Sequence, residues 1–284
     1  MKYFNLTFLF FCIVVRPRYH PGTKFIYNMT AARPRGITLI INNASFAHHP
    51  KRGKLSDRHG SEKDVFLVEK LFDALDFSVK TKQNLSKQQL ERELDEIACQ
   101  DHSPYDCFVL WLMSHGKSDY EVFCSDGEKI LIQSLQDILS ECDTLKGKPK
   151  LFFFQACRGT RVDKGVTVKN DSATQANKSN ESTEVDSGIK LRIPTHADFL
   201  YAFSTVNDHV AFRNENEGSL FVCCVVDAFH EHVAHNHILD ILTVANYKVS
   251  KIDAKQPSSN NRNETNFCKQ MPEVTHTLRK KVYF

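Results

Sequence analysis

Two features of the sequence predict an α/β fold with a largely parallel sheet. First, short runs such as "CFVLWLM" (107–113) and "KLFFF" (150–154) are apolar without polar alternation, as in strands covered on both faces. Second, segments of helical period separate these runs, which is the rhythm of a sheet with helices packed on it. The 284 residues, 41% hydrophobic and 25% charged, are enough to bury one sizeable core.

The elements follow in order. "RGITLIINN" (35–43) reads as a buried strand ending in a loop at Asn42-Asn43. In 61–77, Val65, Val68, Leu71, Phe72 and Leu75 recur at helical spacing, so an amphipathic helix is expected there. "FSVKTKQNL" (77–85) alternates as a strand. Ser86 and Gln89 then stand three apart, the spacing of a capping box that opens the next helix. A second buried strand spans 106–115, a helix 133–142, and a third buried strand 148–157. From about 160 to 190 the rhythm fails. That stretch has no aromatic and few aliphatic residues, and is expected to be mobile. The pattern resumes with a strand at 199–205 and helices at 218–235 and 238–251. A polar loop at 253–266 and a last strand at 273–278 close the chain.

Composition excludes some classes. A net charge of +3, from 37 basic and 34 acidic residues, gives no footprint for nucleic acid. Nine cysteines without any C-x-x-C spacing argue against a disulfide framework and for a reducing, cytoplasmic setting. The apolar stretch Phe4–Val15 has the length of a signal-peptide core, but Arg16-Pro17-Arg18 follows instead of a small-x-small cleavage site. It is read as a retained leader of unassigned role. The histidines of "HEHVAHNH" (230–237) contain no H-E-x-x-H pair on one helical face, so no metal is expected.

In parallel sheets, ligands sit beyond the carboxyl ends of the strands. "MSH" (113–115) and "QAC" (155–157) both occupy such ends. Cys157 is the candidate nucleophile, since a thiolate attacks carbonyls once a base lowers its pKa. His115 is the candidate base. Gly116 allows close approach of backbone, and its N–H with that of Cys157 would suit an oxyanion hole.

"QACRG" (155–159) and "SHG" (114–116) resemble the catalytic motifs of caspases. The resemblance runs from about Arg33 to Phe284 through "DRHGSEKD", "ADFLYAFST", "AFRNENEGSLF" and "KQMPEVTHTLRKKVYF", in family order. It implies a three-layer sandwich with a six-stranded, mostly parallel sheet, an aspartate-directed endopeptidase activity in apoptosis, and no cofactor. By the same resemblance Cys157 is the nucleophile, His115 the base and Gly116 an oxyanion donor. Arg58, Gln155 and Arg213 hold the substrate aspartate. Two guanidiniums suit one carboxylate, and asparagine would be rejected. Phe212 and Asn214, flanking Arg213, count among the substrate-binding residues, with Phe212 walling the neighbouring subsite. Leu220 stands where many executioner members carry tryptophan.

The resemblance also implies an organisation: a leader at 1–30, a large-subunit region at 31–162, a flexible linker at 163–190 and a small-subunit region at 191–284. Maturation by a cut after Asp186, in "STEVDSG", is expected; Asp163 and Asp171 are weaker sites. Thr183, fourth before that cut, points to activation by an upstream initiator caspase. No aspartate precedes Asp57, and about 30 residues leave no room for an adaptor domain, which resembles the executioner type. Expected partners are protein substrates, inhibitor-of-apoptosis proteins and a second copy in a homodimer. Two alternatives stand beside this: a non-enzymatic regulator pairing with an active relative, and a legumain-type peptidase, which Arg58 and Arg213 disfavour.

Overall fold

The computed structural model describes residues 24–29, 32–46, 55–117, 120–166, 193–257 and 265–284. The leader stretch Phe4–Val15, Asp171, Asp186 and most of the expected linker lie outside the described residues. Six strands form the main sheet: β1 (Gly36–Asn42), β2 (Ser78–Gln83), β3 (Cys107–Met113), β4 (Lys150–Gln155), β5 (Phe199–Phe203) and β6 (Glu273–His276). Their order is β6-β5-β4-β3-β1-β2. All neighbours are parallel except β6, which runs antiparallel to β5. This is the mostly parallel sheet expected from the sequence.

The helices are α1 (Ser61–Ala74), α2 (Lys87–Ala98), α3 (Ile132–Ser140), α4 (Leu220–His232) and α5 (Ile238–Lys251). Strand residues alternate between two cores, as the two-residue period of a strand requires. Val109, Trp111, Leu151 and Phe153 pack with α1, α4 and α5. Phe108, Leu110, Leu112, Phe152 and Phe154 pack with α2 and α3. Covering both faces explains why β3 and β4 read as unbroken apolar runs. Trp111 stacks on Phe153 across the strands, with centroids 4.3 Å apart. Ser86 and Gln89 make both bonds of the capping box that opens α2. No helix among the described residues is long and apolar enough to cross a membrane.

Several expectations need correction. The first helix ends at Ala74 rather than 77, because Asp76 takes a left-handed turn (φ 62°) that leads into β2; Leu75 stays in the core. The fourth helix is trimmed at both ends to 220–232. The expected loop at 253–266 contains an antiparallel ribbon, Ala254–Pro257 against Thr265–Cys268. A second small sheet, Gly116–Lys117, Glu121–Phe123 and Lys129–Leu131, follows β3. These short elements close backbone hydrogen bonds without a long apolar period, so they carry little signal in the sequence.

Candidate active site

The carboxyl ends of β1, β3 and β4 lie side by side: Asn42 is opposite Met113, and Met113 is opposite Gln155. The chain leaves β3 through Ser114, whose N–H donates to the Gln155 carbonyl at 3.1 Å, and reaches His115. The small sheet after β3 then fixes that segment, with the Phe123 N–H donating to the His115 carbonyl at 2.9 Å. The imidazole packs on Phe46, centroids 4.9 Å apart. Its Nε2 lies 2.7 Å from the Ser56 carbonyl. A carbonyl only accepts, so Nε2 carries the proton and Nδ1 is the basic nitrogen of the neutral ring. Burial lowers the His115 pKa below its usual value of 6.5, and the positive charges of Arg58 and Arg213 add to this against the Ser56 bond. The ring is therefore neutral, and able to accept a proton, at neutral pH.

Cys157 is held from both sides. Before it, the Ala156 N–H donates to Ser204 Oγ at 3.2 Å, and that hydroxyl donates back to the Ala156 carbonyl at 2.8 Å. After it, the Arg158 N–H donates to the His209 carbonyl at 2.9 Å. The thiol is half-buried, and Sγ accepts from the Ala211 N–H at 3.4 Å. Sγ makes no hydrogen bond to His115. Gly116 is pressed against this loop: a Cβ there would overlap the Cys157 carbonyl and come 2.9 Å from Ala156 Cβ. Any side chain at 116 would push the two strand ends apart.

Arg58 is 2% exposed. Its Nη1 donates to Asn42 Oδ1 at 2.9 Å and to the Asn43 carbonyl at 3.2 Å, which anchors it on the end of β1. Its buried Nη2 has no partner among the described residues, and neither has Gln155 Oε1. Burial lowers the Arg58 pKa to about 10, with the charge of Arg213 the next contribution, so it stays charged at neutral pH. Arg213 is half-buried and donates from Nε to the His59 carbonyl at 3.0 Å, beside Arg58 in the chain. Two guanidiniums so placed repel each other, and one bound carboxylate would relieve both. Phe212 is half-buried, and its N–H donates to Gln270 Oε1 at 2.7 Å. Asn214 is exposed and uses its Oδ1 to accept the Asn216 N–H at 2.7 Å, so its carbonyl oxygen serves the local turn.

The second arginine of the motif region behaves differently. Arg158 turns away and is buried, with its guanidinium 4.5 Å from the Tyr120 ring centroid and 4.2 Å from that of Phe203. It pairs with Glu273 on β6. Ring faces and a carboxylate hold it as part of the scaffold. Four residues went unseen in the sequence: Ser56, Ala211, Asp64 and Ser219. Ser56 and Ala211 act through backbone groups, which leave no side-chain signal. Asp64 and Ser219 bond each other across 155 positions of sequence.

Among the described residues no cluster of three or more His, Cys, Asp or Glu is arranged to hold a metal. Strand ends that bring together a thiol, a neutral imidazole and an unpaired buried guanidinium donor have the construction of a cysteine peptidase site. The comparisons with known proteins agree. The caspase domain family matches residues 35–283. The chain is 36% identical to caspase-7 of Gallus gallus over 92% of this chain and 80% of that protein. It is 34% identical to caspase-8 of Rattus norvegicus over 91% of this chain but only 52% of that protein. The crystal structure of caspase-1 from Spodoptera frugiperda superposes with a TM-score of 0.77 at 28% identity, covering 92% of this chain and 94% of the other. The chain belongs to the caspase family, cysteine peptidases of apoptosis.

Proposed function

We propose that the protein is an endopeptidase that cuts protein substrates after aspartate, with Cys157 as nucleophile and His115 as general base. The observation that carries this reading is the open Nη2 of buried Arg58, next to the catalytic strand ends and beside Arg213. A buried charged donor without a partner is costly unless a ligand completes it. A carboxylate side chain is the complement; Gln155, whose Oε1 is also open, Phe212 and Asn214 are proposed to bind the same substrate.

The chemistry then follows. His115 Nδ1 takes the thiol proton of Cys157. The thiolate adds to the aspartate's own backbone carbonyl carbon, and that carbonyl oxygen becomes an anion facing the Cys157 and Gly116 N–H groups, which in such sites contribute about 2.7–4 kcal/mol for each donor. The C–N bond breaks as the imidazolium gives its proton to the leaving amine. Water, deprotonated by His115, then hydrolyses the thioester and regenerates the thiol.

The chain is proposed to mature by a cut after Asp186, made by an upstream initiator caspase, which separates the regions 31–162 and 191–284. Two bonds speak against Asp163 as the site. Its carbonyl accepts the Lys269 N–H at 2.8 Å, and its Oδ1 accepts the Gly165 N–H at 2.8 Å. A segment tied into a bridge does not extend easily into a protease cleft. A homodimer along the outer edge of β6, recognition by inhibitor-of-apoptosis proteins and a cytoplasmic setting complete the reading. The eight described cysteines, all free, support that setting. One observation favours a regulator that pairs with an active relative: Sγ of Cys157 bonds Ala211 rather than His115. The test is Asp186→Ala beside Cys157→Ala. Under the proposal Asp186→Ala is neither processed nor activated by an initiator caspase, and Cys157→Ala is processed but inert. Normal activation of Asp186→Ala would move the cut elsewhere, and an inert, fully processed wild type would favour the regulator.

A further inference from the structure

Asp64 lies in the first turn of α1 and is 0% exposed. A buried carboxylate persists only when its oxygens are bonded. Here both are bonded by one residue: the Ser219 N–H donates to Oδ1 at 2.6 Å and the Ser219 hydroxyl to Oδ2 at 2.5 Å. Ser219 is directly opposite Arg213 in a short antiparallel pair, with Asn214 opposite Gly218. The grip on Ser219 is therefore a grip on the strand that carries Arg213.

Other contacts show how tightly the two segments interlock. Arg213 Nε donates to the His59 carbonyl, and the Lys63 ammonium donates to the Asn216 carbonyl. Gly218 has φ 96°, and a Cβ there would lie 2.6 Å from Asp64 Oδ1. The segment 58–64 carries Arg58, and 213–219 carries Arg213. They fall on opposite sides of the expected linker, so after maturation the Asp64–Ser219 bonds join two separate chains. The charges also balance in a specific way. Two guanidiniums against one built-in carboxylate leave a single positive charge, the complement of one substrate carboxylate. Burial raises the Asp64 pKa, while the Ser219 bonds and the two arginines act to keep it charged.

We propose that Asp64 is a positioning residue of the aspartate pocket. Through Ser219 it holds Arg213 at the spacing from Arg58 at which both guanidiniums reach one carboxylate, and it supplies the fixed negative charge that lets them share the empty pocket. This rests on the aspartate-directed reading above. Asp64→Asn keeps an acceptor for the Ser219 N–H but removes the charge. Ser219→Ala removes one bond and keeps the charge, and serves if Asp64→Asn folds poorly.

The experiment uses the matured protein, with active sites counted by a thiol-directed covalent peptide. It reads kcat and KM on tetrapeptide reporters ending in aspartate or glutamate. Asp64→Asn is expected to raise KM for the aspartate reporter about tenfold with little change in kcat, and to cut the preference for aspartate over glutamate by a similar factor, since position of a bidentate donor sets this selectivity. Ser219→Ala moves both in the same direction by a smaller factor. A lower count of active sites with unchanged KM and unchanged preference per site, in both variants, would overturn the inference by making Asp64 purely structural. A wild type inactive on every aspartate reporter would instead remove the reading beneath it.

Discussion

Two buried aspartates in this molecule meet arginine, and they do so in opposite ways. Asp198, 0% exposed, is saturated: it accepts from Tyr27 Oη at 2.5 Å and from Arg279 Nε and Nη2, both at 2.7 Å. Burial would raise its pKa, but the Arg279 and Tyr27 bonds prevail and hold it below the usual carboxylate value. Asp64 is satisfied by serine, and the two guanidiniums near it take no direct bond from its oxygens. Arg58 spends its bonds on neutral Asn42 and Asn43 and keeps Nη2 open. The first arrangement is a clasp. It ties the segment before β1 to the chain end, where the Tyr27 N–H also donates to the Lys281 carbonyl at 2.9 Å. The second leaves a guanidinium donor open, as the proposed aspartate pocket requires. An arginine with a carboxylate already forked onto it has nothing left to recognise.

Breaking each site should separate the two roles. The largest effect on activity is expected at the proposed pocket: Arg58→Lys loses the planar fork and lowers kcat/KM on aspartate reporters by about a thousandfold or more, since a site built around hydrogen bonds discriminates at about 10⁴–10⁵. Stopped assays at equal active-site concentration would check this. At the clasp, Asp198→Asn weakens the charged bonds from Arg279 and Tyr27 and, with the freed Arg279 open to solvent, should cost about 3 kcal/mol of stability in denaturant melts, while kcat/KM per titrated site stays unchanged. Tyr27→Phe removes one bond to the carboxylate and should cost about 1.5–3 kcal/mol in the same melts.

pH sharpens the contrast further. The folded pKa of Asp198 is depressed, so its stabilisation is present above the unfolded value of about 3.9 and is lost as pH falls through the lower folded value. Acid unfolding of Asp198→Asn should therefore show a weaker pH dependence in that range. The smallest effect expected is at His115, whose pKa is lowered below 6.5 by burial first and then by the charges of Arg58 and Arg213. The acid limb of kcat/KM for wild type should lie below 6.5. Arg213→Gln removes one cation, favours the imidazolium and should move that limb upward by less than about one unit, within the usual scatter of such shifts.

Much of this was legible in the sequence, for identifiable reasons. β1, β3 and β4 are covered on both faces, so their apolar runs were unambiguous, and the Ser86–Gln89 capping box is a local signal that the backbone honours. Cys157 and His115 stood out as candidates because chemistry in such sheets gathers at strand ends, and the structure sets those ends side by side. What escaped was either carried by backbone or distant in sequence. The Ser56 carbonyl that orients His115 could be offered by any residue. The Asp64–Ser219 bonds depend on α1 docking against a strand beyond the linker. Arg158, adjacent to Cys157 in the motif, is sandwiched between Tyr120 and Phe203 and paired with Glu273 on β6. Adjacency in the chain said nothing about which way its side chain would turn.

The central claim is that the open guanidinium donor of Arg58, with Arg213 beside it, awaits a carboxylate. Its most direct test is hydrolysis of paired tetrapeptide reporters, aspartate against asparagine before the scissile bond, by the matured protein with Cys157→Ala as the blank. The account predicts cutting after aspartate only, abolished in the blank. Equal cutting after asparagine, or cutting that survives in Cys157→Ala, would contradict it.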